Sequence, residues 1–209
     1  MKKVKPILRG TFHQAMFFIA IGASTPLIVK SSSASEYVAT SIYSAAVMMM
    51  FGFSALYHRF DWSTLIKKRM RKLDHVGIFI MIAGSFTPIA LLVIPWPDGL
   101  FLLILIWCVA LFGATQVIFF PDINRLLRAG IYLSMGLISL PYFSTMFEVF
   151  SVANKILIIL SAFLYVIGAV GYGLKYPKLS PKIFGYHEVF HSLVSVAAIL
   201  HFIVIYSII

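Results

Sequence analysis

Long apolar stretches separated by short polar connections run along the whole chain. Seven of them are long enough to cross a bilayer, which takes roughly 20 apolar residues per helix. They lie at about residues 12–29, 37–58, 74–94, 99–120, 127–147, 155–174 and 186–209. The connections carry helix-ending prolines such as Pro97, Pro177 and Pro181, and they leave no room for a soluble domain. The pattern predicts an all-α integral membrane protein with seven transmembrane helices, a single membrane domain over residues 1–209.

The composition agrees with this interpretation. Hydrophobic residues make up 61% of the 209 residues and charged residues 11%, and the mean hydropathy is +0.97. A soluble domain of this length does not need so much apolar surface. The single cysteine, Cys108, excludes an internal disulfide and a cysteine-rich zinc site.

The basic residues fall almost entirely on one side of the predicted membrane. Of the seventeen lysines and arginines, only Lys30 and Lys155 lie on the other side. The positive-inside rule then predicts a cytoplasmic N-terminus and an external C-terminus, which requires an odd number of spans. The net charge of +10 is explained by topology and by contact with anionic membrane lipids, so no nucleic-acid partner is expected. The fifteen residues on the cytoplasmic side are Lys2, Lys3, Lys5, Arg9, Arg59, Lys67, Lys68, Arg69, Arg71, Lys72, Arg125, Arg128, Lys175, Lys178 and Lys182.

An alternative for the first span is a signal peptide. The basic start at Lys2, Lys3 and Lys5, an apolar core and the small residues at 33–35 have the general form of one. Cleavage would leave six spans, with both ends of the mature chain outside. The apolar stretch is long for a signal peptide and the cleavage sequence is poor.

A histidine motif opens the last span. His187-Glu188-Val189-Phe190-His191 has the form H-E-x-x-H, and its two histidines share one helix face, one turn apart. The spacing suits two ligands of one zinc ion. The extended metalloprotease motif fails, because Val194 and Ala197 stand where it needs glycine and a third histidine. A third ligand must therefore come from upstream.

The predicted topology brings polar residues of three spans to one depth. Ser54 and His58 end the second span, Asp74 begins the third, and His187 and His191 begin the seventh. All five are then expected near the inner leaflet, where ionisable groups are expensive and mark functional sites. Three histidines with an open position describe a catalytic type of zinc site, although imidazoles also suit other first-row metals. Asp74 is placed to orient or deprotonate a water there.

Three other histidines receive weaker assignments. His75 points about 100° away from Asp74 around the helix, which favours a supporting role. His13 has the right depth on the first span and is a spare ligand. His201 lies roughly 15 Å beyond His191 along the helix, so it is expected to be a buried hydrogen-bonding histidine. Gly84-Ser85 is expected to be a helix-packing position.

Three blocks of residues carry a family resemblance. They are Ser54-Ala55-Leu56-Tyr57-His58, then Leu73-Asp74-His75-Val76-Gly77-Ile78 with Ala83-Gly84-Ser85-Phe86-Thr87-Pro88, then His187-Glu188-Val189-Phe190-His191 with His201-Phe202. Their order, with the seven spans, resembles the hemolysin III family. That family is the bacterial branch of the progestin and adipoQ receptor superfamily, which includes the adiponectin receptors. The resemblance covers nearly the whole chain and implies a location in the bacterial plasma membrane.

The resemblance also implies a site. In the adiponectin receptors the corresponding histidines bind zinc and the aspartate holds a zinc-bound water, which carries over to His58, His187, His191 and Asp74. Ser54 then lies beside the site. The receptors have no acid after the first of the paired histidines, so the resemblance argues against a catalytic role for Glu188.

Several functions fit these expectations. The first is a zinc-dependent hydrolase of lipid amide or ester bonds, similar to the ceramidase-like activity proposed for the superfamily, with a role in membrane lipid homeostasis. The second is a membrane sensor or regulator in which zinc only clamps two spans. A pore-forming hemolysin is disfavoured because such a toxin should first be soluble, and a transporter because polar residues are few beyond His201.

Overall fold

The computed structural model describes residues 6–180 and 182–209. Lys2, Lys3 and Lys5, which support the predicted topology, and the predicted helix stop at Pro181 lie outside the described residues. The described residues form helices and turns, with no β-sheet among them. The α-helices are α1 (Thr11–Lys30), α2 (Ala34–Arg59), α3 (Thr64–Leu92), α4 (Asp98–Phe119), α5 (Arg125–Leu137), α6 (Phe143–Val149), α7 (Val152–Leu174) and α8 (Tyr186–Ile208).

Seven helical segments among the described residues are long and apolar enough to cross a membrane, which confirms the predicted fold class. The fifth, Arg125–Val149, consists of α5, a 3-10 turn at Leu140–Tyr142, and α6. The break follows from Pro141, which lacks the backbone N–H that would continue the helix.

One helix extends beyond its predicted span. α3 begins at Thr64, whereas the apolar pattern predicted a span from residue 74. The additional turns carry the basic cluster from Lys67 to Lys72, and lysine and arginine are good helix formers. The helix therefore continues into the polar region beyond the apolar stretch.

Small residues allow the central helices to approach closely. A Cβ atom added at Gly84 would lie 2.2 Å from the Cβ of Ala46 on α2, which confirms the predicted packing position. On the other side of α3, a Cβ at Gly113 of α4 would meet the ring of Phe79 at 2.1 Å. α3 is thus packed between α2 and α4, with its orientation fixed at both contacts.

Helices α1 and α8 run side by side in the same direction. At one end Lys30 donates a hydrogen bond to the Tyr206 carbonyl at 2.8 Å. At the other end the backbone N–H of Ile7 donates to the carbonyl of Lys182 at 3.0 Å. This arrangement gathers the starts of α1, α3 and α8 and the end of α2 at one end of the bundle.

Candidate metal centre

Three histidines meet at that end of the bundle. One ring nitrogen from each of His58, His187 and His191 can be chosen so that all three lie within 4.8 Å of one another. The Nε2 atoms of His58 and His187 are 3.1 Å apart. His58 and His191 are 6% and 2% exposed. The sequence analysis predicted these residues at one depth in the membrane, and the structure brings the three histidines together.

Local structure explains how each histidine reaches the cluster. His187 and His191 occupy the first two turns of α8, on one face, and His58 occupies the last turn of α2. The start of α8 is fixed by Glu188, whose Oε2 accepts a hydrogen bond from the Gly185 N–H at 2.8 Å. That bond satisfies a backbone donor that the helix itself leaves unpaired.

The donor set fits a metal ion. In a tetrahedral zinc site with Zn–N distances of about 2.05 Å, neighbouring ligand nitrogens lie about 3.3 Å apart. The 3.1 Å between the His58 and His187 nitrogens is close to that spacing. The buried Nδ1 of His191 has no hydrogen-bond partner among the described residues. This cluster could therefore hold a metal ion.

Asp74 and Ser54 lie next to the histidines. The Oδ2 atom of Asp74 is 3.7 Å from Nε2 of His58. The Ser54 side chain, one turn before His58 on α2, lies beside the Asp74 carboxylate. The carboxylate is therefore held close to the cluster without belonging to the group of three that could hold a metal. This geometry suits a group that accepts a proton beside the cluster.

Glu188 has a structural partner that the sequence analysis missed. Its side chain is 1% exposed and forms an ion pair with Arg9, which precedes α1. Together with the Gly185 contact, this pair anchors the N-terminal segment to the start of α8. A buried acid in an apolar span needs a partner of opposite charge. The position of Glu188 in such a span was therefore the signal in the sequence that could have indicated a basic partner.

His13 contacts the cluster without joining it. Its ring stacks on that of His191, with centroids 3.7 Å apart and planes 3° from parallel. His13 is 2% exposed, and neither ring nitrogen has a hydrogen-bond partner among the described residues. It lies outside the group of three and instead supports the ring of one member.

The two remaining histidines bond to backbone carbonyls. The Nδ1–H of His75 donates to the Arg71 carbonyl at 2.6 Å, within its own helix. The Nε2–H of His201 donates to the Ser85 carbonyl at 3.3 Å. The prediction that His201 is a buried hydrogen-bonding residue is confirmed.

A large cavity adjoins the histidines. Its volume is about 1460 Å³, and its wall includes all three histidines and Asp74. From Asp74 it follows one face of α3 through Ile78 and Ile82, and α5 and α7 supply much of the opposite wall. Basic residues line it near the histidines, namely Arg9, Lys67, Arg71, Arg125, Arg128, Lys175 and Lys178.

Comparison with known proteins agrees with this architecture. A family model described as haemolysin-III related matches residues 1–202. Hemolysin-3 of Bacillus cereus is 29% identical over 169 residues, covering 78% of this chain and 76% of that protein. The hemolysin-3 homolog of Bacillus subtilis is 29% identical over 191 residues, covering 90% and 86%. The adiponectin receptor protein of Drosophila melanogaster is 28% identical over 195 residues, covering 80% of this chain and 41% of the receptor. The match along almost the whole sequence identifies the chain as a member of the hemolysin III family, related to the adiponectin receptors.

Proposed function

We propose that the protein is a zinc-dependent hydrolase of lipid amide or ester bonds in the bacterial plasma membrane. His58, His187 and His191 are the proposed ligands, and the proposed role is in membrane lipid homeostasis. The observation that carries the proposal is that the three histidines of the cluster form part of the wall of a cavity of about 1460 Å³, whose wall is otherwise largely apolar. A lipid can place its polar bond at the histidines while its tails stay in an apolar environment.

The orientation of the protein in the membrane belongs to the same proposal. Basic side chains surround the histidine end of the cavity, and in membrane proteins such residues concentrate on the cytoplasmic side. We therefore assign the cluster to the inner leaflet, with the N-terminus in the cytoplasm and the C-terminus outside.

Asp74 is the proposed proton acceptor. Zinc, when bound, supplies a Lewis acid that polarises a carbonyl and activates water. The Asp74 carboxylate, 3.7 Å from the His58 ring nitrogen, is positioned to take the proton released from water and return it to the leaving group. Ser54 can orient the carboxylate by donating its one hydroxyl hydrogen to it.

The direct test is turnover by the purified protein. Ceramide, other lipid amides and lipid esters are incubated with the protein before and after treatment with a chelator, and zinc is then restored. We expect hydrolysis that stops with the chelator and returns with zinc. Absence of chelator-sensitive turnover across all three lipid groups would overturn the hydrolase proposal.

A second function is favoured by the way the histidines join two helices. A metal at His58, His187 and His191 would clamp the end of α2 to the start of α8, as a sensor or regulator of membrane state requires. The similarity to a protein named as a receptor agrees with this alternative.

Substitution of Asp74 distinguishes the two functions. Asp74→Asn leaves all three histidines in place, and Asp98→Asn at the start of α4 is a control away from the cluster. For a hydrolase we expect retained zinc with turnover reduced about 100- to 10,000-fold, the usual contribution of a general base. Retained zinc with unchanged cellular function would favour the clamp.

A further inference from the structure

The cavity contains a second polar region, far from the histidine cluster. Between the two regions its wall on α3 is apolar, at Ile78, Met81 and Ile82. Further along are Ser85 of α3 and His201 of α8, and Ser161 and Tyr165 of α7, all of which line the cavity. His201 is ten residues beyond His191, so the separation along the helix is roughly 15 Å.

Hydrogen bonding determines which atom of His201 is offered to a ligand. A carbonyl oxygen only accepts, so the contact with Ser85 requires the proton on Nε2. Nδ1 of the neutral ring is then an acceptor, and it bonds to no described residue. The ring stacks against Tyr43, with centroids 6.4 Å apart, which restricts its rotation.

Tyr165 and Ser161 supply hydroxyl groups to the same region. They are one turn apart on α7, so their side chains share a helix face. Tyr165 packs against the apolar core cluster that contains Tyr43, and the Tyr43 ring stacks on that of His201. The Tyr165 hydroxyl bonds to no described residue. The region therefore offers both donors and acceptors.

The wall becomes apolar again beyond this region. Ile89, Phe143 and Met146 line the cavity past Ser85. The polar groups therefore form a band across the middle of an apolar cavity, and an unsubstituted hydrocarbon chain would leave them without partners. Burying a polar group without a partner is unfavourable, so such a band discriminates against plain chains.

We propose that Ser161, Tyr165 and His201 form a subsite for a hydroxyl group carried in the middle of a lipid chain. The proposal rests on the proposed function in one respect, namely that the polar end of the lipid lies at the histidine cluster. The hydroxyl then sits roughly 15 Å from that end. It can donate to Nδ1 of His201 and accept from Tyr165.

A competition experiment with fatty acids tests this subsite. The purified full-length protein binds a fluorescent fatty acid, which is displaced by saturated fatty acids of one chain length. These carry no hydroxyl, or a hydroxyl next to the carboxyl group, at mid-chain or at the terminal carbon. We expect the mid-chain isomer to bind roughly 3- to 10-fold more tightly than the plain acid, as one additional hydrogen bond allows.

Two variants and one control localise the effect. His201→Phe and Tyr165→Phe keep an aromatic ring and remove the polar atom, and each should reduce the mid-chain preference to less than about twofold. Tyr206→Phe, on α8 outside the cavity wall, should retain it. Two separate variants also guard against misfolding of either one.

The outcomes separate this proposal from the hydrolase proposal. Equal binding of the plain and mid-chain acids, or a preference that survives in both variants, overturns the subsite even if lipid amides are hydrolysed. A mid-chain preference without chelator-sensitive turnover supports the subsite and overturns the hydrolase. Failure of every fatty acid to displace the probe overturns the subsite.

Discussion

Helix α8 carries two histidine regions whose chemistry differs because their neighbours differ. At its start, His187 and His191 face the imidazole of His58, and a ring nitrogen of His58 lies 3.1 Å from one of His187. Near its other end, His201 faces the backbone carbonyl of Ser85. The Ser85 carbonyl can only accept a hydrogen bond, so it pairs with the N–H of His201. Several imidazoles that meet offer more than one nitrogen lone pair, and such a set can bind a metal ion. The partner atoms, more than the residue type, distinguish a candidate ligand from a hydrogen-bonding residue.

The largest expected effect is on zinc content, when one imidazole is removed from each region in turn. His191→Ala deletes a proposed ligand, while His201→Ala deletes a histidine of the same helix that bonds a backbone carbonyl and faces no other imidazole among the described residues. Loss of a supporting residue around a metal commonly costs 10- to 100-fold in affinity, so loss of a ligand should cost more than about 100-fold. We expect elemental analysis to find zinc in wild-type protein and in His201→Ala, and none in His191→Ala.

Equal zinc content in the two variants would contradict the difference between the regions. Circular dichroism of both proteins in detergent supplies the control, because comparable helicity would exclude a trivial loss of metal through unfolding.

The next largest effect is expected from the ion pair between Arg9 and Glu188, which lies at the metal region and not at the His201 region. Arg9→Met leaves the Glu188 carboxylate, 1% exposed, without its cation. Breaking a buried pair from one side typically costs about 3–5 kcal/mol, because the remaining charge stays buried. We expect a large fall in the unfolding temperature of Arg9→Met, measured in detergent.

A double variant tests the cause of that fall. Arg9→Met with Glu188→Gln removes both charges, while the glutamine oxygen can still accept from the Gly185 N–H. We expect the double variant to be more stable than Arg9→Met alone. If it is less stable than either single variant, the buried charge is not the source of the effect.

The sequence predicts the histidine end of the bundle more fully than its internal contacts. Span number follows from the apolar lengths that a bilayer requires. Because alternate spans reverse direction, the end of the second span and the starts of the third and seventh share one side. That reasoning brought His58, Asp74 and His187 to one depth before any helix packing was known.

Helix rotation and shape account for what the sequence did not predict. The predicted depth of His13 in the membrane put it near the cluster. Successive side chains on a helix point in directions about 100° apart, and the sequence does not fix how the helix is rotated. Depth alone therefore could not distinguish a metal ligand from a ring stacked on His191. Glu188 lacked an identified partner because Arg9 lies 179 residues away in the chain. The break of the fifth span at Pro141 was hidden by the apolar residues on both sides.

A smaller effect is expected from the ring stacked on His191. His13→Ala removes an aromatic pair, which contributes about 0.5–1.5 kcal/mol, whereas His13→Phe preserves a ring. If stacking holds His191 in place, zinc affinity should fall roughly 2- to 12-fold in His13→Ala and remain near wild type in His13→Phe. Competition with a calibrated chelator measures both. Equal loss in the two variants would mean that the His13 nitrogens act directly.

The smallest effect should come from the carbonyl-bonded histidine. His201→Phe keeps a ring and removes the donor to Ser85, and the 3.3 Å contact is long for an N–H···O hydrogen bond. We therefore expect a loss of about 0.5 kcal/mol in the free energy of unfolding, at the low end for a single hydrogen bond. His201→Gln, whose amide can still donate, should recover part of it, and zinc affinity should stay unchanged in both variants. A change in zinc affinity in either variant would mean that the two histidine regions of α8 are coupled, since the roughly 15 Å between them leaves no direct contact through which His201 could reach the metal.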